Sequence, residues 1–308
     1  MAGKIRIVTD SSAQFLDPSI IQRYGITVVP LTLKLGADSY REGIDIRNEA
    51  FFERVSNNRS LVPAVSAPDV DEFADLYTRL GQETDRILSI HMTRTMLPVW
   101  QNAKTAADAL LGRCEIVALD SQTASVGLAL LVEAAAKFSL EMESLDDVVR
   151  AVRKLIPRIY AIFCVESMDY LQNNGLLSES QAILGSMLGI KPFLTIEEGD
   201  LIAMEKVRTR GQIIDKFVEF VTEFASVDNL TILQNSTHPT DLTRQLQERL
   251  IQEFSTRHFP VTMYSPSLCT FIGPDAMGVI ILEGEDPDEF DRDNHEGTFH
   301  DQSRQADR

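Results

Sequence analysis

Residues 87–103, ILSIHMTRTMLPVWQNA, turn a short apolar run into a polar loop and then into a helix. Ile87, Leu88 and Ile90 have the character of a buried strand. Pro98 suits the first turn of a helix that continues through Trp100, Ala103, Ala106 and Leu110. The loop between them is the expected binding edge, because ligands of open α/β sheets sit beyond the carboxyl ends of strands, where helix N-termini leave backbone N–H groups free. It combines the hydroxyls of Thr93 and Thr95, the cation of Arg94 and the apolar Met92, Met96 and Leu97. That mixture suits an amphipathic ligand better than a phosphate, although a surface loop whose Met and Leu tuck into the core would read the same way.

Working outward, the pattern strand, polar turn, helix recurs. Residues 5–8 form a strand ending in the capping cluster Thr9, Asp10, Ser11 and Ser12. Residues 28–33 read as a second strand, followed by a polar hairpin-like stretch through Gly36, Tyr40 and Gly43. A short helix at 48–55 and an extended connector at 62–68, VPAVSAP, follow, since each proline disfavours helix just before it. Asp69 then opens a helix whose acidic first turn, Asp69, Asp71 and Glu72, complements the helix dipole. Residues 116–119 are another strand. Helices at 126–138 and from Ser144 to about 156 come next, Asp147 standing three residues after Ser144. This alternation implies a mostly parallel sheet covered by helices.

Near Pro157 the pattern changes. A strand at 159–165, an Asn-Asn-Gly turn, an apolar helix at 178–190 and a hairpin of 193–196 with 201–204 around Glu197-Glu198-Gly199-Asp200 are followed by helices at 211–225 and 239–254, which alternate with runs at 230–233, 261–264 and 279–282. The expected organisation is therefore α/β in two domains: 1–157, a mostly parallel sheet with helices, and 158–282, a smaller α/β domain with antiparallel strands. Residues 283–308, acidic and without apolar period, read as a disordered tail in which His295 and His300 are solvated.

At 308 residues and 44% hydrophobic, the chain can bury a substantial core. A formal net charge of −17 argues against nucleic acid and anionic membrane as partners. No apolar stretch is long enough for integral membrane insertion and no signal-peptide pattern opens the chain, so the expected localisation is cytoplasmic. Cys114, Cys164 and Cys269 form no CxxC and lie in or beside apolar runs, as buried thiols do. There is no phosphate-binding glycine loop, HExxH or GxSxG, and the five histidines lack ligand spacing. A catalytic serine or a metal site would have to be assembled from unrelated segments, so the reading is that the chain is not an enzyme and has neither metal nor cofactor.

Taken together, these stretches resemble the DegV family, the bacterial fatty-acid-binding proteins that include the binding subunits of fatty acid kinase. The resemblance rests on VTDSS at 8–12, ITVVPL at 26–31, SAP at 66–68, QNA at 101–103, and DS at Asp120 and Ser121. It continues with Tyr170-Leu171, Gly175 and Ser178, Leu184-Gly185, IKP at 190–192, KVR at 206–208 with Arg210, and Gly273-Pro274 before Ala276 and Gly278. It implies two α/β domains with an acyl chain in a tunnel between them and the carboxylate held at the mouth, a lipid carrier or presenting protein that passes its ligand to a fatty-acid-kinase-like partner. The departures fall at that mouth. The first threonine of the family's TSQPS is Val65, its serine surviving as Ser66; its Ser-Ser-Gly loop aligns with Thr93, Arg94 and Thr95; a second glycine is Pro98; its Gly-Gly-Arg turn is Asn174-Gly175-Leu176; and its histidine before Gly-Pro is Phe271. The expected lipid-binding residues are therefore Ser66, Thr93, Arg94, Thr95 and Phe271. Burial of an acyl chain contributes roughly 0.8 kcal/mol per methylene, a hydrogen bond to a charged head about 1.5–3 kcal/mol, so the tunnel supplies affinity and the mouth selectivity. Bulky Phe271 and Leu176 favour a second reading, an interaction or regulatory protein of this fold that has lost its lipid, while Gly185 and Gly189 leave room for the chain.

Overall fold

The computed structural model describes residues 4–58, 61–175, 177–254 and 259–285. The first half runs β1 (Arg6–Asp10), α1 (Ser19–Tyr24), β2 (Thr27–Val29), β3 (Thr32–Leu35), β4 (Asp38–Arg41), α2 (Asn48–Asn57), β5 (Ala64–Ser66), α3 (Val70–Leu80), β6 (Arg86–His91), α4 (Val99–Ala109), β7 (Glu115–Asp120), α5 (Ser125–Glu141) and α6 (Leu145–Leu155). A single 3-10 turn, Ile156–Arg158, leads into β8 (Ile159–Cys164), α7 (Asp169–Asn173), α8 (Glu179–Met187), β9 (Lys191–Glu197), β10 (Asp200–Val207), α9 (Arg210–Thr222), β11 (Val227–Gln234), α10 (Asp241–Phe254), β12 (Val261–Met263), α11 (Pro266–Ile272) and β13 (Met277–Glu283).

The first sheet has the order β2-β1-β6-β7 with every neighbour parallel. Because β2 lies on one side of β1 and β6 on the other, the carboxyl ends of β1 and β6 flank the point where the winding reverses, the usual crevice of such sheets. The apolar run expected at 28–33 as one strand is two, β2 and β3, in different sheets. Pro30 has no N–H for a ladder, and past it the chain turns into a small antiparallel sheet, β4-β3-β5, to which the 62–68 connector lends β5. Asp69 caps α3 in a reciprocal box, its carboxylate accepting from the Glu72 N–H at 2.8 Å while the Glu72 carboxylate accepts from the Asp69 N–H at 3.1 Å. Ser144 occupies the corresponding position before α6 without a side-chain capping bond.

The second sheet, β10-β9-β8-β13-β11-β12, is antiparallel except for β11 with β12. Apart from register shifts at 203–205 and 227–229, its strands alternate: Ile162, Phe193, Ile232, Val279 and Ile281 meet α9 and α10, while Ala161, Phe163, Leu194, Leu233 and Ile280 join a core continuous with the first half. Between the two sheets lies α5, which buries Val126, Leu128, Leu131, Val132 and Ala135 and turns a narrow stripe outward, where Glu133 pairs with Lys137. Among the described residues no helix is long and apolar enough to cross a membrane.

Candidate functional site

At the crevice, Asp10 is fully buried and accepts four hydrogen bonds: from the Ser12 hydroxyl (2.5 Å) and N–H (3.1 Å), the Met92 N–H (3.0 Å) and His91 Nδ1 (3.0 Å). His91 Nε2 in turn accepts from Ser89 Oγ at 2.7 Å, and the Tyr77 hydroxyl donates to Ser89 at 2.8 Å. Ser89, His91 and Asp10 thus form the serine–imidazole–carboxylate chain of a hydrolase, drawn from two strands. All three are 0% exposed, so no substrate can reach the hydroxyl. The chain acts as a brace that fixes β6 to β1 and sets the start of the loop at Thr93.

That loop buries Thr93 but leaves Arg94 and Thr95 exposed. Thr93 donates to the Gly199 carbonyl at 2.8 Å and Thr95 to the same oxygen at 2.5 Å, so the tip of the β9–β10 hairpin is docked on the residues expected to hold a head group. Gly199 has φ +94°, and a Cβ there would stand 2.5 Å from Thr93 Oγ1, so glycine is required both by the backbone and by the approach. Arg94 turns outward: its Nε lies 3.6 Å from an Asp120 carboxylate oxygen and its guanidinium 5.7 Å from the Trp100 ring centre. Burial raises the Asp120 carboxyl above its usual range against the opposing hydrogen bonds of Gln122 and Arg94. Ser66 pairs with Thr32 at the edge of the small sheet and is half-buried. Phe271, on α11, is 7% exposed and belongs to the core shared by the two halves. Asn174, in place of a family glycine, donates to the carbonyls of Tyr170 (2.7 Å) and Thr270 (2.9 Å), tying the end of α7 to α11; Leu176 lies outside the described residues, as do His295 and His300. Of the five expected residues, the structure brings Thr93 and Thr95 onto one acceptor and does not bring Arg94 there.

Sequence reasoning missed Glu42. Only 3% exposed, it accepts from Ser11 Oγ at 2.6 Å and from the Ser267 N–H on α11 at 2.8 Å, so one carboxyl links the two halves. Burial pushes its pKa up to about 7, against the lowering effect of these bonds. Nothing in an isolated Glu among polar residues announces this. The helix that receives it was missed as well, although Ser265 caps α11 and Pro266 fills its first position, a Ser-Pro start signal.

The candidate binding volume is a 590 Å³ cleft between α8 and the β9–β10 hairpin. It lies on the face of the second sheet turned toward the first half. Met168, Leu177, Gly185, Ile190, Pro192, Ala203 and Met204 make it apolar; Gln181, Glu205 and Lys206 add its polar groups. Such a volume falls in the range of about 300–1,000 Å³ common for ligand sites. Gly185 lets Met168 approach, for a Cβ there would meet Met168 Cε at 3.0 Å. Around the cleft, Ile183, Met187, Leu188, Ile202 and Met204 are exposed. Two other hollows, of 390 and 330 Å³ beside α2 and β12, mix polar groups such as Gln14, Asn48 and Thr237 with Phe52, Val261 and Met263. Among the described residues no cluster of His, Cys, Asp or Glu could hold a metal ion. Cys164 and Cys269 are buried free thiols and Cys114 is half-buried; burial raises Cys164 to about 12, which makes it a poor nucleophile.

The family model described as "Uncharacterised protein, DegV family" matches residues 4–284. A DegV domain-containing protein of Caldanaerobacter subterraneus subsp. tengcongensis is 31% identical over 284 residues, covering 91% of this chain and 99% of its own. Among solved structures, the fold is similar to a DegV family protein from Thermus thermophilus described as showing fatty acid binding, with TM-score 0.77 and 26% identity over 91% of this chain and all of that one. It is also similar to a fatty acid binding DegV family protein from Streptococcus agalactiae, with TM-score 0.82, 24% identity, and coverage of 92% of this chain and 100% of that one, a likeness of fold alone.

Proposed function

This chain belongs to the DegV family, and from that premise we propose that it binds the acyl chain of a long-chain fatty acid or related lipid, carrying or presenting it without catalysing a reaction on it. The observation that carries the reading is the apolar cleft beneath α8, open on the inner face of the second sheet while the rest of that face is packed. The fatty acid binding described for the Thermus protein supports the same ligand class. Ten methylenes buried there would contribute on the order of 8 kcal/mol, before the cost of association is subtracted, enough for useful affinity without any head-group contact. The brace of Ser89, His91 and Asp10, sealed from substrate, supports a carrier over a hydrolase.

The reading includes a division into two domains at 157, where α6 passes to β8, a cytoplasmic location and a fatty-acid-kinase-like protein as the acceptor of the lipid. Organic extraction of the purified protein followed by mass spectrometry tests it. An acyl compound in stoichiometric amount is expected; an empty extract, together with no uptake of added palmitic acid, would favour the interaction protein instead.

A further inference from the structure

At the opposite edge of the second sheet from the acyl cleft, the two hollows beside α2 adjoin through Glu49, Thr237 and Met263 and make one groove between the halves. Its position follows from topology. Strands β11 and β12 are parallel neighbours joined through α10, with Gln234 paired beside Met263 at their carboxyl ends, and the space beyond such ends is where α/β sheets take ligands. The loop leaving β11 is fixed from within. The buried Gln234 carboxamide donates to the Ser236 and His238 carbonyls (2.5 and 2.8 Å) and accepts from the Thr240 N–H (3.2 Å) and the Thr243 hydroxyl (2.7 Å). The facing wall is α2, which turns Glu49, Phe52, Glu53 and Ser56, one helical face, to the groove.

The charges along this wall stand in a fixed order and are uncommitted. Arg47 precedes α2, whose first turn has no side-chain cap; beside it, Gln14 Oε1 accepts from Asn48 Nδ2 at 3.0 Å, which leaves the Gln14 amide N–H groups as donors. Among the described residues Arg47, Glu49 and Glu53 form no ion pair, although Arg47 and Glu49 share one hollow and Glu49 and Glu53 the other. Arg54, the next cation along the helix, is engaged elsewhere, donating to the Tyr40 hydroxyl at 2.5 Å with its guanidinium 5.0 Å from the centre of that ring. Glu49 and Glu53 therefore stand one turn apart as like charges, an arrangement that a helix disfavours unless a cation joins them. Beside them, Met263 and the buried Phe52, whose ring meets Tyr264 edge-on at 5.0 Å, supply an apolar floor.

We propose that this groove binds a free basic α-amino acid of lysine's length. Arg47, the Gln14 amide and the first N–H groups of α2 take the α-carboxylate, Glu49 the α-ammonium and Glu53 the side-chain ammonium, with the methylenes over Phe52 and Met263. The lengths agree: four residues of helix rise about 6 Å, and the two nitrogens of lysine, separated by five carbons, span up to about 7 Å. The signs agree as well. A cation followed by two carboxylates complements a carboxylate followed by two ammonium groups, and disfavours phosphates and dicarboxylates. The site is separate from the acyl cleft and does not rest on the acyl-binding reading.

Isothermal titration calorimetry of the full chain with L-lysine, L-norleucine, cadaverine and L-glutamate tests the inference. L-lysine should bind with a Kd below about 1 mM. L-norleucine, which lacks the side-chain ammonium, cadaverine, which lacks the carboxylate, and L-glutamate, whose side chain has the wrong sign, should each bind at least about ten-fold more weakly. Glu53→Gln should bring L-lysine down to the affinity of L-norleucine, and Arg47→Met should bring it down to that of cadaverine. Both positions are exposed, so urea unfolding of the variants should match the wild type. No heat from L-lysine up to about 10 mM, equal affinity for L-lysine and either L-norleucine or cadaverine, or L-lysine binding that survives both substitutions overturns the inference, and each leaves acyl binding intact.

Discussion

Replacing Glu42 by Gln should stabilise the protein at alkaline pH and leave it nearly unchanged in acid. The Glu42 carboxyl is buried where the turn after β4 meets α11, and burial raises its pKa from an ordinary 4.5 to about 7. A carboxyl whose folded pKa stands above its unfolded value contributes its stabilisation fully below the unfolded pKa and loses it as pH rises through the folded one. With about 1.4 kcal/mol for each pKa step, the window from 4.5 to about 7 corresponds to about 3 kcal/mol, an upper figure since some relaxation accompanies ionisation. Gln reproduces the protonated geometry: its carbonyl can accept from Ser267 N–H as Oε1 does, and its amide can donate to Ser11 Oγ, which already accepts from Leu31 N–H at 2.9 Å. The assay is urea unfolding of wild type and Glu42→Gln at about pH 5 and about pH 8, where the difference between the two proteins should change by about 2–3 kcal/mol in favour of the variant at the higher pH. Taking the difference cancels every other titrating group. A variant destabilised equally at both pH values would refute the reasoning and show that Glu42 is ionised throughout.

Asp10→Ala leaves the donors of Ser12, Met92 and His91 without their buried acceptor and should cost about 3–5 kcal/mol in urea unfolding; a cost under about 1 kcal/mol would mean that the brace is not structural. Gly199→Ala forces a Cβ to 2.5 Å from Thr93 Oγ1 at a positive φ. It should lower stability by about 1–3 kcal/mol and speed amide exchange at the hairpin tip, whereas unchanged exchange would place the docking contact in doubt. Ala203→Phe, at an exposed position on the cleft wall, should weaken palmitic acid binding at least about ten-fold while stability moves by less than about 0.5 kcal/mol. Undiminished binding would exclude this wall from the site.

Much of the fold was legible because its signals are local. The alternation of apolar strand, polar turn and helix gave the parallel sheet, the acidic turn at Asp69 gave a real capping box, and the Glu198-Gly199 pair gave the hairpin. Of the small sheet only the β3–β4 hairpin around Gly36 was legible; β5 was not, since β3 and β5 are only four and three residues long and find each other across the intervening α2. The site was legible only in outline. Thr93 and Thr95 do converge, but their acceptor comes from a residue more than a hundred positions away, and sequence spacing carries no record of that pairing. The cleft wall escaped for a related reason: strict alternation places Lys206 on the face opposite Ala203, and the bulge that brings the two together is visible only in the register.

Photolabelling tests the location of the acyl chain most directly. A palmitic acid analogue with a diazirine near its methyl end is irradiated on the protein, and the adducts are mapped by peptide mass spectrometry with and without excess palmitic acid. Competable adducts on Met168, Leu177 or Ile190 are predicted, because these side chains line the cleft between α8 and the hairpin. Adducts that excess palmitic acid does not suppress, or that fall instead on Gln14, Arg47 or Met263 beside α2, would contradict the account.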